Sequence, residues 1–194
     1  NNCSGAAVEC WSTTLDLFGI LPCQVIGELT DMGYPASCEA DVLGTVTSVM
    51  LQAADYNRQP SFFADLTIRH PEDDNVELLW HCGVFPNSLK KAESNAFIDA
   101  DGRGQWELKK GDITIARFDG LNGKYSLLIG EGKAIEGPKN NGTYVWMEVD
   151  NWPKWERKII EGPYIHHVSG MYENYASVLE QSCKFIPGLT ADRI

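Results

Sequence analysis

The sequence predicts an α+β chain: helices at the end of an α/β domain, then an antiparallel β-barrel-like domain and a closing helix. Two observations predict this. Apolar residues recur at helical spacing as far as residue 54, and beyond Pro60 the texture changes to short alternating or aromatic-rich runs separated by turn residues. The boundary is placed at residues 59 and 60, giving segments 1–59 and 60–194.

In the first segment, residues 6–18 have a helical repeat that Gly19 and Pro22 stop, and a second helix over 22–31 ends at Gly33. Residues 34–39 form a short strand end between Gly33 and Pro35 on one side and a third helix over 40–54 on the other. That helix has Val42, Leu43, Val46, Val49, Met50 and Ala53 on one face. The chain thus begins with two helices and one strand end, too few for an α/β layer, because a parallel sheet needs several strand-crossover units. The missing strands are therefore expected upstream of Asn1. In the second segment, strands are expected over 62–69, 76–82, 105–108, 113–119, 125–136, 144–149 and 155–161. Turn-forming stretches such as Asp73-Asp74-Asn75 and Leu121-Asn122-Gly123 separate them, and the closing helix is expected over 169–185.

Composition narrows the function. With 43% apolar residues the chain can bury an ordinary core, so disorder is not expected. A net charge of -11, with no long run of Lys or Arg, argues against a nucleic-acid or anionic-membrane partner and for a neutral, cationic or metal-bound one. No window approaches the roughly 18 uninterrupted apolar residues of a membrane span. The six cysteines lie far apart and show no C-x₂-C spacing, so they read as reduced thiols of a cytoplasmic protein rather than as a disulfide framework or zinc finger. The triplets Asn2-Cys3-Ser4 and Asn141-Gly142-Thr143 fit the glycosylation pattern, but so short a match recurs by chance and does not reverse that reading.

Three groups of residues have the chemistry for a site. Glu39 and Asp41 interrupt an apolar passage from strand to helix; the alternative is that Asp41 caps the helix and Glu39 faces solvent. Asp65 is a lone carboxylate in an apolar strand, which must be paired or metal-bound if it is buried, or faces water if the strand is at an edge. Of the four histidines, His70 reads as a solvated loop residue and His81 as a strand-end residue. The pair His166-His167 follows a Gly-Pro turn, where adjacent side chains diverge and only one of the two reaches a given site. Two carboxylates and a neutral imidazole make a hard, oxygen-rich set suited to Mn²⁺ or Mg²⁺.

The run Pro35-Ala36-Ser37-Cys38-Glu39-Ala40-Asp41-Val42, then Phe62-Phe63-Ala64-Asp65, His81-Cys82-Gly83, and late Gly162-Pro163 with His166-His167, resembles the C-terminal half of the L-fucose isomerase and L-arabinose isomerase superfamily. The resemblance covers nearly the whole chain. It implies a metal-dependent aldose-ketose isomerase with Mn²⁺ as the usual metal, held by Glu39, Asp65 and His167, with His166 as the alternative imidazole. It implies that the two carboxylates also move protons, through a cis-enediolate. His81 is expected near the substrate, because one branch of the superfamily has a metal-site histidine there, and Trp11 is a candidate to pack on the sugar, with core packing as the alternative. It further implies a small-molecule sugar as partner and a homo-oligomeric full-length protein, with a non-catalytic sugar-binding paralogue as the alternative.

Overall fold

The computed structural model describes residues 2–194. A short strand β1 (Ala6–Ala7) leads into a π-helical turn (Cys10–Thr14), the single-turn helix α1 (Leu15–Phe18) and α2 (Cys23–Asp31). The helix expected over residues 6–18 is thus broken into three pieces. The Glu9 carboxylate accepts from the backbone N–H groups of Trp11, Ser12 and Thr13, and this anchors the start of the wider π-helical turn. Strand β2 (Ala36–Ser37) pairs in parallel with β1, and α3 (Val42–Ala54) follows.

The remaining strands are β3 (Phe62–Arg69), β4 (Val76–His81), β5 (Phe97–Ile98), β6 (Gly104–Glu107), β7 (Gly111–Leu121), β8 (Lys124–Ile135) and β9 (Thr143–Glu148). After them come α4 (Trp152–Ile160), β10 (His167–Tyr172), α5 (Ala176–Cys183) and β11 (Leu189–Arg193). Six of these strands close a ring, in the order β8, β7, β10, β3, β4, β9 and back to β8, with every pair antiparallel. Closure removes the open sheet edges that would otherwise need protection. It is possible because β8 is long: residues 125–129 pair with β11, and residues 133–135 turn to β9. The hairpin between β7 and β8 turns at Asn122 and Gly123, both with positive φ, the twist that two-residue hairpins favour.

Two expectations need correction. Residues 155–161 are not a strand but most of α4. Asn151 Oδ1 accepts from the Lys154 N–H, Pro153 stands in the first turn, and Trp152, Trp155 and Ile159 form an apolar stripe at helical spacing. Residues 169–172 do not open the closing helix. They form the middle of the barrel between β3 and β7, and the helix begins only at Ala176. The local apolar run suits either state, and the two flanking strands decide it.

Helix α3 lies across β7 and β10, tied to them by polar contacts: Thr47 Oγ1 accepts from the Phe118 N–H at 2.9 Å, and the Ser48 and Ser169 hydroxyls meet at 2.8 Å. Its first turn needs Gly44, because a Cβ there would stand 2.4 Å from the Phe63 ring. This close approach brings the start of α3 over β3 and β10, which carry the candidate site.

Candidate metal centre

Asp65 and His167 are opposite one another on paired strands, so both side chains leave the same face of the barrel wall. Glu39 reaches them from the turn that joins β2 to α3. That turn holds Glu39 and Ala40 at φ 58 and 56, a left-handed conformation costing about 1–2 kcal/mol per non-glycine residue. Trp11 Nε1–H donates to Glu39 Oε1 at 3.0 Å and fixes the carboxylate from the solvent side. His167 Nε2 is 3.4 Å from Glu39 Oε2 and 3.4 Å from Asp65 Oδ1. Two neighbouring donors on an ion with bonds of about 2.1 Å stand about 3 Å apart, so only small movements separate this spacing from coordination.

The tautomers separate the two buried imidazoles. Asp41 Oδ2 accepts from His167 Nδ1 at 3.0 Å, so neutral His167 carries its proton on Nδ1 and turns the bare Nε2 lone pair toward the two carboxylates. At His81 the order is reversed: the Cys82 backbone N–H donates to Nδ1 at 2.9 Å, leaving the proton of the neutral ring on Nε2. His167 is therefore set up as a ligand and His81 as a hydrogen-bond donor. His81 Nε2 lies 4.0 Å from Asp65 Oδ1. His166 also reaches toward Asp65, at 3.8 Å, but its side chain is 56% exposed and projects at the rim.

The groups that would meet an ion are also short of partners. Asp65 Oδ1, His81 Nε2 and His167 Nε2 are buried without a hydrogen bond. Each such group left unpaired costs about 1–3 kcal/mol, and an ion between them would satisfy the Asp65 oxygen and the His167 nitrogen together. The electrostatics call for a cation. Burial raises the Asp65 carboxyl to about 7; His167 opposes the rise and Glu39 adds to it. Burial depresses the His167 imidazole, but its bond to Asp41 and the charges of Asp65, Asp41 and Glu39 outweigh this, and the net shift is upward. Burial takes His81 down to about 4, with Glu39 opposing, so it is neutral at ordinary pH. The residues present thus fit a divalent cation.

Asp41 has more work than capping. Its Oδ1 accepts from the Gly44 N–H at 2.8 Å as the cap of α3, while Oδ2 is shared between His167 Nδ1 and the Arg117 guanidinium. Burial raises its carboxyl, but the bonds from His167, Arg117 and Gly44 prevail and hold it well below the usual range. Arg117 is held in turn by Asp119 at 3.2 Å. The sequence set Asp41 beside Glu39 as a candidate with capping as the alternative, and Arg117 carried no local signal; only the wrapping of β7 under α3 brings the two together. Trp11 lies against Glu39 as a hydrogen-bond donor with much of its ring in solvent.

No family model matches the chain. It is similar to three curated proteins named sulfoquinovose isomerase: from Alkalicoccus urumqiensis, 27% identical over 151 residues; from Priestia megaterium, 27% over 150; and from a Clostridium species, 26% over 147. The alignments take in 74%, 74% and 72% of this chain and 34%, 33% and 32% of those relatives. The chain therefore spans about a third of the length of the curated relatives it matches.

Proposed function

We propose that this chain carries the metal-binding part of an aldose-ketose isomerase of the L-fucose isomerase type, acting on a sugar such as the sulfoquinovose named for its relatives. The observation that carries the reading is the bare Nε2 of His167, aimed between the Glu39 and Asp65 carboxylates while its Nδ1 is pinned by Asp41. Similarity to three proteins named for sugar isomerisation supports the same chemistry from a separate direction.

In this reading Glu39, Asp65 and His167 hold the metal, with Mn²⁺ preferred and Mg²⁺ also accepted by so oxygen-rich a set. When bound, the ion supplies Lewis acidity toward the sugar carbonyl and its neighbouring hydroxyl. The chain's own side chains do the rest. Glu39, the more exposed carboxylate, meets a sugar arriving from solvent, and Asp65 is recessed beside His167 and His81; the pair moves protons between adjacent carbons and oxygens of the open-chain sugar. The His81 Nε2–H donates to a sugar oxygen, and the Trp11 ring packs on the sugar while its N–H steadies Glu39.

Two measurements test this. Calorimetric titration with Mn²⁺ should show one ion per chain, lost in Glu39→Gln and Asp65→Asn. The full-length protein should interconvert sulfoquinovose, L-fucose or L-arabinose with the corresponding ketose in a Mn²⁺-dependent way. Metal binding without turnover of any of these sugars would leave the non-catalytic sugar-binding alternative and remove the isomerase reading.

A further inference from the structure

Four cysteines that are far apart in sequence meet close to the site. Cys10 comes from the π-helical turn, Cys23 opens α2, Cys38 follows β2 and Cys82 follows β4. The Cys10 and Cys38 sulfurs are 2.9 Å apart and those of Cys23 and Cys82 3.3 Å. The Cys38 and Cys82 sulfurs, with a ring nitrogen of His81, lie within 4.8 Å of one another, which joins the two pairs into one group. Cys10, Cys23 and Cys38 are buried and Cys82 half-buried, and none is in a disulfide.

We propose that Cys10, Cys23, Cys38 and Cys82 form a structural tetrathiolate site for a soft divalent cation, zinc by preference, separate from the carboxylate-imidazole centre. Thiolates select such a cation, and four of them complete its tetrahedral shell with no position left open. Zinc-sulfur bonds of about 2.3 Å space the sulfurs of a tetrahedron about 3.8 Å apart. The two close pairs here are shorter than that and far longer than the roughly 2.05 Å of a disulfide. Two independent disulfides would account for the pairs but give no reason for Cys38 to face Cys82. A single shared ion accounts for both.

Binding releases four thiol protons and leaves the site with two negative charges. Part of the environment helps to balance them: Cys23 occupies the first position of α2, where the helix dipole favours a thiolate. The site has a structural consequence. Cys38 is peptide-bonded to Glu39, and Cys82 to His81, so an ion on the sulfurs ties down both turns that deliver groups to the other centre.

The inference does not rest on the isomerase reading and is tested apart from it. The protein is purified without chelator under reducing conditions, its zinc is counted, and the zinc is then replaced by Co²⁺. One zinc per chain, a thiolate-to-cobalt charge-transfer absorption, and loss of both in Cys23→Ser are expected. Asp65→Asn should keep the zinc and the cobalt spectrum unchanged, a control that does not depend on any cysteine variant folding. Absence of zinc together with no cobalt-thiolate band in the parent would overturn the proposal. So would peptide mapping that finds Cys10 joined to Cys38 and Cys23 to Cys82 in the protein as purified.

Discussion

Two donor sets of different chemistry lie next to one another. Glu39, Asp65 and His167 present oxygen and imidazole nitrogen on the hard side, and Cys10, Cys23, Cys38 and Cys82 present sulfur on the soft side. Only the peptide links Cys38–Glu39 and His81–Cys82 separate them. The hard side is partly open, with Glu39 33% exposed and His166 at the rim, whereas on the soft side three of the four cysteines are buried and Cys82 is half-buried. An open set of hard donors leaves room for a substrate, and a complete set of four soft donors has room only for the ion. The contrast separates chemistry from scaffolding within a few ångströms.

The largest effect that would break this division is expected from Asp65→Asn. It should lower turnover of the full-length enzyme by about 10²–10⁴-fold and abolish Mn²⁺ binding, with zinc content unchanged. Asp41→Asn tests whether the hard side depends on support from behind. Loss of the carboxylate that orients His167 should weaken Mn²⁺ by about 10–100-fold in a titration, again without touching the zinc. Trp11→Phe keeps the aromatic face and removes only the bond to Glu39. A rise of about two- to fivefold in the Mn²⁺ dissociation constant is expected, since that bond is solvent-exposed.

The smallest effect concerns a carboxylate that belongs to neither set. Glu77 in β4 is buried with Oε2 unpaired; burial, with the like charge of Glu156, raises it to about 8 despite Arg69. A carboxyl whose pKa is higher folded than unfolded binds its proton more tightly in the folded state. Its destabilising effect is therefore absent below about 4.5 and grows as pH rises to about 8. Glu77→Gln should flatten the decline of thermal stability across that window and leave both metal contents as they are. A steeper decline in the variant would reverse the assignment.

Much of this molecule was legible in the sequence. Helical periodicity predicted α2 and α3, and the turn signals at Asp73–Asn75 and Asn122-Gly123 delimited true hairpins, because these depend on local backbone chemistry. Acidic residues interrupting apolar runs marked Glu39 and Asp65 as unusual, since a buried carboxylate requires a partner. Trp152 and Pro153 hold a helical start signal just ahead of residues 155–161, so the expectation of a strand there fails on local grounds rather than through a tertiary effect.

Other features depended on the folded chain. Residues 169–172 became a central strand because β3 and β7 offered hydrogen bonds on both sides. The choice of His167 as the ligand-ready imidazole follows from Asp41, 126 positions away, and Arg117 entered the site through the same contact. The cysteines, spaced too widely for any motif, converged through the packing of four separate segments. Residue type and local spacing determine which groups are able to bind a metal. Which of them meet depends on long-range strand pairing and helix packing, whose contacts join positions that no sequence window contains.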